Sequence, residues 1–181
     1  MVLLVEMNND DPGYQRTIDL HEELLKYPDF ISISHASSIP GSESFYEHFW
    51  PEGYESHVPL RYVNIDPEYI PTLGLQLIPG RNFSSLLATD TASCIINESA
   101  MREFGWTIDS VLGKTIRYNF SNSWDDIINA KVIGVVNDFN YLSLHDTIQP
   151  IILTMHNEIY PYLIVKMQAD RFKEGIRILE D

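Results

Sequence analysis

Gly113-Lys114-Thr115 has the closing residues of a phosphate-binding loop, whose backbone N–H groups and lysine would cradle a phosphate. Such a loop needs another glycine five positions earlier, and that position is Ile108. The tripeptide is therefore read as a turn entering a strand. Asn8, Asp10 and Gly13 fall at the first, third and sixth places of a calcium loop. Pro12 and Asp19 stand where further ligands would be needed, so a capped helix entry is the better reading. None of the six histidines makes an HxxxH or HExxH pair, and no metal is called for. His145-Asp146 resembles a fragment of a catalytic pair, yet no GxSxG elbow is present. Cys94, the single cysteine, lies in an apolar run and reads as a buried small hydrophobe. With no acid, base and nucleophile in evident relation, the chain is expected not to be an enzyme, and no cofactor is implied.

The elements that would hold these residues follow from periodicity. Val2 to Val5 reads as a buried strand. Asp11-Pro12 opens a helix with Tyr14, Ile18, His21 and Leu25 on its buried face. Pro28 ends it, and alternation of Ile31 and Ile33 with serines gives a strand over Phe30 to His35. Residues 36–57, with Pro40, Gly41, Pro51 and Gly53, read as a long surface loop.

Strands are expected at Leu60 to Ile65, Leu75 to Ile78, Cys94 to Ile96, Thr115 to Tyr118 and Lys131 to Val136. Short helices fill Pro67 to Leu73 and the segment that Asn97 caps, the latter ended by Gly105. Ser121 to Asp126 would be an exposed hairpin tip. Ile151 to Thr154 and Tyr162 to Met167 are expected to pair, and Phe172, Ile176 and Leu179 start an amphipathic helix. The class is α+β with mixed sheets.

The loop carries Phe45, Tyr46, Phe49 and Trp50. Aromatics are costly to expose and enriched at interfaces, so these four are candidate partner-binding residues. At least two of them should then be largely exposed. Their burial would instead make them part of the core.

The chain has 181 residues and a formal net charge of -14, from 12 Lys and Arg against 26 Asp and Glu. That field repels phosphate backbones, which excludes nucleic acid as a partner, and it also suits plain solubility. No stretch reaches the ~20 apolar residues of a membrane helix. A chain that opens in a strand and stops within a helix suggests a cut from a longer protein.

From Val63 onward a series of motifs runs in order. Val63-Asn64-Ile65-Asp66-Pro67-Glu68-Tyr69 is followed by Leu73-Gly74-Leu75 and Pro79-Gly80-Arg81-Asn82-Phe83-Ser84. Then come Ile95-Ile96-Asn97-Glu98-Ser99-Ala100, Val111-Leu112-Gly113-Lys114 and Val132-Ile133-Gly134-Val135-Val136-Asn137-Asp138-Phe139. Together they resemble the periplasmic core domain of MacB/FtsX-type ABC-transporter permeases. The opening β-α-β, with Ser37-Ser38-Ile39-Pro40-Gly41, is similar to the second extracytoplasmic domain of the long permeases of Bacteroidetes.

The resemblance implies a soluble domain inserted between membrane helices on the periplasmic side of the bacterial inner membrane. Residues 1–86 and 141–181 would form a porter-like subdomain, and 87–140 an inserted sabre-like subdomain. It implies no catalytic residues. Gly80, Arg81, Asn97, Gly113, Gly134 and Asp138 would have structural roles, with Arg81 a candidate to pair with a carboxylate that fixes its turn. Expected partners are the sister extracytoplasmic domain or a periplasmic protein, and the cytoplasmic ATPase only through the helices. A ligand-sensing receptor domain is the alternative, and an apolar pocket with converging polar groups would favour it. A domain returning its chain to the membrane should have its first and last strands in one sheet and both ends on one face.

Overall fold

The apolar run at the start forms β1 (Val2–Glu6), and it lies against a strand from the far end of the chain, β10 (Tyr162–Met167). The computed structural model describes residues 1–6, 21–41, 46–119, 127–142, 147–156 and 161–180. Asn8, Asp10, Gly13, Tyr14, Ile18, Phe45, the tip at 121–126 and His145-Asp146 lie outside the described residues. The class is α+β with mixed sheets, as the periodicity implies.

β10 is the centre of a three-stranded antiparallel sheet, with β1 on one side and β2 (Phe30–Ala36) on the other. The Met1 ammonium donates to the Met167 carbonyl oxygen at 2.9 Å. The start of the first strand therefore sits beside the end of the last, next to helix α3 (Phe172–Glu180). The expected pairing of first and last strands in one sheet is present.

Alternation along β10 gives each face of this sheet its own contact. Leu163, Val165 and Met167 join Leu24, Phe30, Ile33 and the α3 residues Phe172, Ile178 and Leu179 in one core. The intervening Ile164 faces the other way, into a core shared with the second sheet. In the first helix Leu24 is the buried residue, whereas the expected Leu25 is 47% exposed. Leu24 faces β2 and β10 three residues on from His21, and Leu25 turns outward.

The second sheet contains β3 (Tyr46–Pro51), β4 (Val58–Asn64), β5 (Leu77–Gly80), β6 (Ser93–Asn97), β7 (Thr115–Tyr118), β8 (Ile128–Val136) and β9 (Ile151–Thr154). Its order is β5-β8-β6-β9-β4-β3-β7, and β7 also pairs with β8. Six strands therefore close into a ring, in which no member keeps a free edge along its whole length. β8 is long enough to hold β6 on one side and both β7 and β5 on the other.

Every ring strand sends side chains inside: Phe49, Leu60, Cys94, Ile96, Ile116, Tyr118, Ala130, Val132 and Ile152 form one core. The alternate residues Val63, Ile95, Ile151 and Leu153 face outward into the core that includes Ala36 and Ile164 of the first sheet. β6 and β9 are thus buried on both faces, which explains their unbroken apolar runs. Two short helices flank the sheets: α1 (Tyr69–Leu73) lies against β2 and β10, and α2 (Glu98–Glu103) against β6, β8 and β9 of the ring.

Two expectations are corrected. The segment read as a loop over 36–57 contains β3, because Glu47, Phe49 and Pro51 alternate with outward residues against β4. Ile151–Thr154 and Tyr162–Met167 do not pair; they lie in different sheets, each buried against other partners. β6, β7 and β8 interleave with β3, β4 and β9 in one ring, and the Ala36–Ile65 bridge links that ring to the three-stranded sheet.

Candidate functional site

β3 and β4 pair antiparallel, and their register sets Tyr46 directly beside Arg61. The pleat splits the aromatic cluster. Phe49 points into the ring and is completely buried, so it is corrected from docking candidate to core residue. Tyr46 points out and is 54% exposed, and Trp50 is half-buried with its ring edge-on to His57.

Arg61 was not singled out by its sequence context, yet it is the most unusual side chain of this surface. It is only 5% exposed. Its guanidinium carbon lies 4.8 Å from the Tyr46 ring centre and 5.9 Å from that of Tyr141. Its Nη2 donates to the Tyr46 hydroxyl at 2.8 Å, and that hydroxyl donates to Gln149 Oε1 at 3.0 Å. Its Nε is buried without a hydrogen-bond partner, and among the described residues no carboxylate pairs with it. Beside it lies a crevice of about 10 Å³, bordered by Asn140, Tyr141, Thr147, Ile148 and Gln149. The signal was there in outline, a basic residue alone in an apolar strand. Its burial depends on Tyr141, which is 80 residues away in sequence and not foreseeable from it.

Two of the candidate structural residues, Asn97 and Asp138, hold segments beside this surface. Asn97 is wholly buried, and its Oδ1 accepts from the Ala100 N–H at 3.0 Å as the cap of α2. The same oxygen accepts from the Ile151 N–H at 3.1 Å, and Nδ2 donates to the Gln149 carbonyl at 3.0 Å. Asn97 therefore ties α2 to the segment that holds Gln149. Asp138 accepts from the Ser99 N–H at 2.8 Å and pairs with Arg102, which fastens the chain after β8 to α2. The hollow lined by Ser99, Arg102, Glu103, Ile148 and Pro150 is open, polar and about 340 Å³.

Arg81 has the carboxylate partner expected of it, Asp90. Nη1 and Nη2 contact the two carboxylate oxygens at 2.7 and 2.6 Å, and the Ser84 N–H donates to the same group at 2.9 Å. This fork holds the Asp90 carboxyl below its ordinary pKa, despite burial that pushes the other way. Gly80 and Gly134 are paired in the β5–β8 ladder, and Gly113 has φ +83° before β7. Lys114 pairs with Glu52 at 2.6 Å, in keeping with a plain turn. Burial pushes the Cys94 thiol well up and leaves it unreactive. Among the described residues no group of three His, Cys, Asp or Glu could hold a metal, and no helix is long and apolar enough to cross a membrane.

Residues 8–170 match the family model of the MacB-like periplasmic core domain. The chain belongs to this family. No protein of curated function matches the chain. Among solved structures, the periplasmic region of MacB from Actinobacillus actinomycetemcomitans is similar with a TM-score of 0.65 and 18% identity. The match covers 99% of this chain and 82% of that one. A domain of a putative permease protein from Porphyromonas gingivalis gives 0.58 and 19%, over 99% and 81% of the two chains. The extracellular domain of the noncanonic ABC-type transporter YknZ from Gram-positive bacteria gives 0.65 and 16%, over 100% and 94%. At these identities the likeness is one of fold. A MacB-like periplasmic core domain is a part of an ABC-transporter permease, which favours the permease reading over the receptor alternative.

Proposed function

We propose that this MacB-like domain stands on the periplasmic side of the inner membrane and passes ATP-driven movement of membrane helices to an export event or a periplasmic partner. It works by mechanics and carries no catalytic group. The observation that supports this is the placement of β1 beside β10 and α3, so that movement applied at either end of the domain enters one three-stranded sheet. That sheet is continuous with the ring through the Ala36–Ile65 bridge and the core shared by Ile164, Ile65 and Ile95. Close-packed interiors transmit displacement instead of absorbing it. The sister extracytoplasmic domain or a separate periplasmic protein would receive it, and the cytoplasmic ATPase would act only through the helices.

The test uses the full-length permease with its ATPase in vesicles. A flexible Gly-Ser segment inserted before Val2 should leave ATP hydrolysis running while export falls to background. Undiminished export by that variant would overturn the coupling role. A full-length gene without membrane spans would overturn the permease assignment itself.

A further inference from the structure

We propose that the crevice beside Arg61 is a binding site for a single carboxylate group. The reasoning starts from the donors. A guanidinium has five N–H groups in one plane and no acceptor, and a buried one is expensive unless those donors are matched. Arg61 is 5% exposed, and among the described residues one hydrogen bond, from Nη2 to the Tyr46 hydroxyl, accounts for its matched donors. Nε has none. The rings of Tyr46 and Tyr141 lie within cation–π range of the guanidinium. Such contacts stabilise the charge but supply no in-plane acceptor for N–H groups.

The surroundings supply the rest of a site. Asn140, Thr147 and Gln149 are exposed at the crevice and carry polar side chains. The Gln149 side-chain oxygen is occupied by the Tyr46 hydroxyl, which leaves its amide N–H groups to donate. Arg61 and the rim thus bring donor groups to one crevice.

The same features choose the ligand. Room of about 10 Å³ is on the scale of one water molecule, so a single oxygen of a ligand enters and the rest of the group stays at the mouth. The net charge of -14 disfavours a polyanion and tolerates a monoanion. A carboxylate is small, planar and singly charged, and its two oxygens match the guanidinium fork. It could come from a free organic acid or from the C-terminus of a peptide. The site is a property of the domain alone and does not depend on the transport reading.

The experiment is a 1H–15N NMR titration of the 181-residue chain, reading the Arg Nε–H signals. The Arg61 signal is identified by its absence from Arg61→Lys, or by through-bond assignment if that variant does not fold. Sodium acetate should shift it saturably, with half-effect in the millimolar range, while sodium chloride at equal ionic strength should not. N-acetyl-trialanine with a free carboxylate should also shift it, and its C-terminal amide should not. Saturation by the peptide at about a tenth of the acetate concentration assigns the site to peptide ends, and equal saturation assigns it to small acids. Gln149→Ala should raise the half-effect concentration about threefold or more. An acetate response that never saturates, or that chloride reproduces, would overturn the proposal and leave Arg61 held by the two rings and solvent.

Discussion

Gly80 and Gly134 face each other across the β5–β8 pair, and their backbones are too close for any side chain between them. A Cβ on Gly80 would stand 2.2 Å from the Ile133 carbonyl oxygen, and one on Gly134 would stand 2.6 Å from that of Arg81. Gly80 also has φ +88°. Both neighbours are backbone, which cannot rotate away. Gly80→Ala and Gly134→Ala should each lower stability by ~3 kcal/mol or more in urea unfolding. Gly113→Ala is the contrast, since its Cβ would meet open space and only the positive φ remains, at a cost of ~1 kcal/mol. Equal losses at all three sites would refute the close-approach account.

Asn97 joins three segments with one amide, and its replacement should do more than uncap a helix. A lost N-cap costs ~1 kcal/mol. Asn97→Ala also strands the buried Ile151 N–H and the Gln149 carbonyl, for a total of ~3 kcal/mol. Asn97→Ser keeps an N-cap acceptor for Ala100 and loses the bonds to Ile151 and Gln149, so its deficit should be smaller. A thermal or urea unfolding series that ranks Ser below Ala would contradict this.

The pleat of β3 gives Phe49 and Tyr46 opposite fates. Phe49→Ala opens a cavity inside the ring and should cost ~3–5 kcal/mol. Tyr46→Ala removes a half-exposed ring and should cost ~1 kcal/mol or less, while baring the Arg61 guanidinium to solvent. Comparable destabilisation by both would mean that the outward face is packed as core.

The contrast also marks how far the sequence could be read. Thr115–Tyr118, Ile151–Thr154 and Tyr162–Met167 are strands with the residue limits that periodicity gives them, and Asn97 is a cap because its residue type and the following apolar spacing agree. β3 was hidden because prolines and glycines surround it and only its pairing with Val58–Asn64 and Thr115–Tyr118 makes it a strand. Pairing is the non-local part of a β structure. For the same reason Ile151–Thr154 and Tyr162–Met167, neighbours in the chain, read as a pair although each finds its partners elsewhere. Asp90 and Tyr141, which give Arg81 and Arg61 their settings, are likewise contacts that sequence order does not foretell.

His21 and His35 stack with ring centres 5.1 Å apart and face Nδ1 to Nε2 at 2.9 Å, close to a carboxyl group whose titration opposes theirs. Burial, with a smaller push from His21, lowers the His35 pKa from 6.5 to about 4. Burial likewise lowers that of His21, with Glu68 and Glu22 opposing. Burial raises the Asp66 pKa from 3.8 to about 6, although the Ser34 hydroxyl and the His35 N–H both donate to it. The unfolded chain takes the His35 proton first, so that stabilising contribution is complete above pH 6.5 and lost as pH falls towards 4. The folded chain holds the Asp66 proton longer, so its contribution is complete below pH 3.8 and lost as pH rises to 6. Between pH 4 and 6 the two slopes, each at most ~1.4 kcal/mol per pH unit, have opposite sign and offset each other, with His21 adding to the His35 side. Asp66→Asn should remove one side of this balance, so that its stability relative to the native chain declines on acidification from pH 6 to 4. His35→Phe should do the reverse and gain on the native chain over the same range. Urea midpoints at pH 4, 5, 6 and 7 measure both, and differences that do not change with pH would show that neither group titrates abnormally.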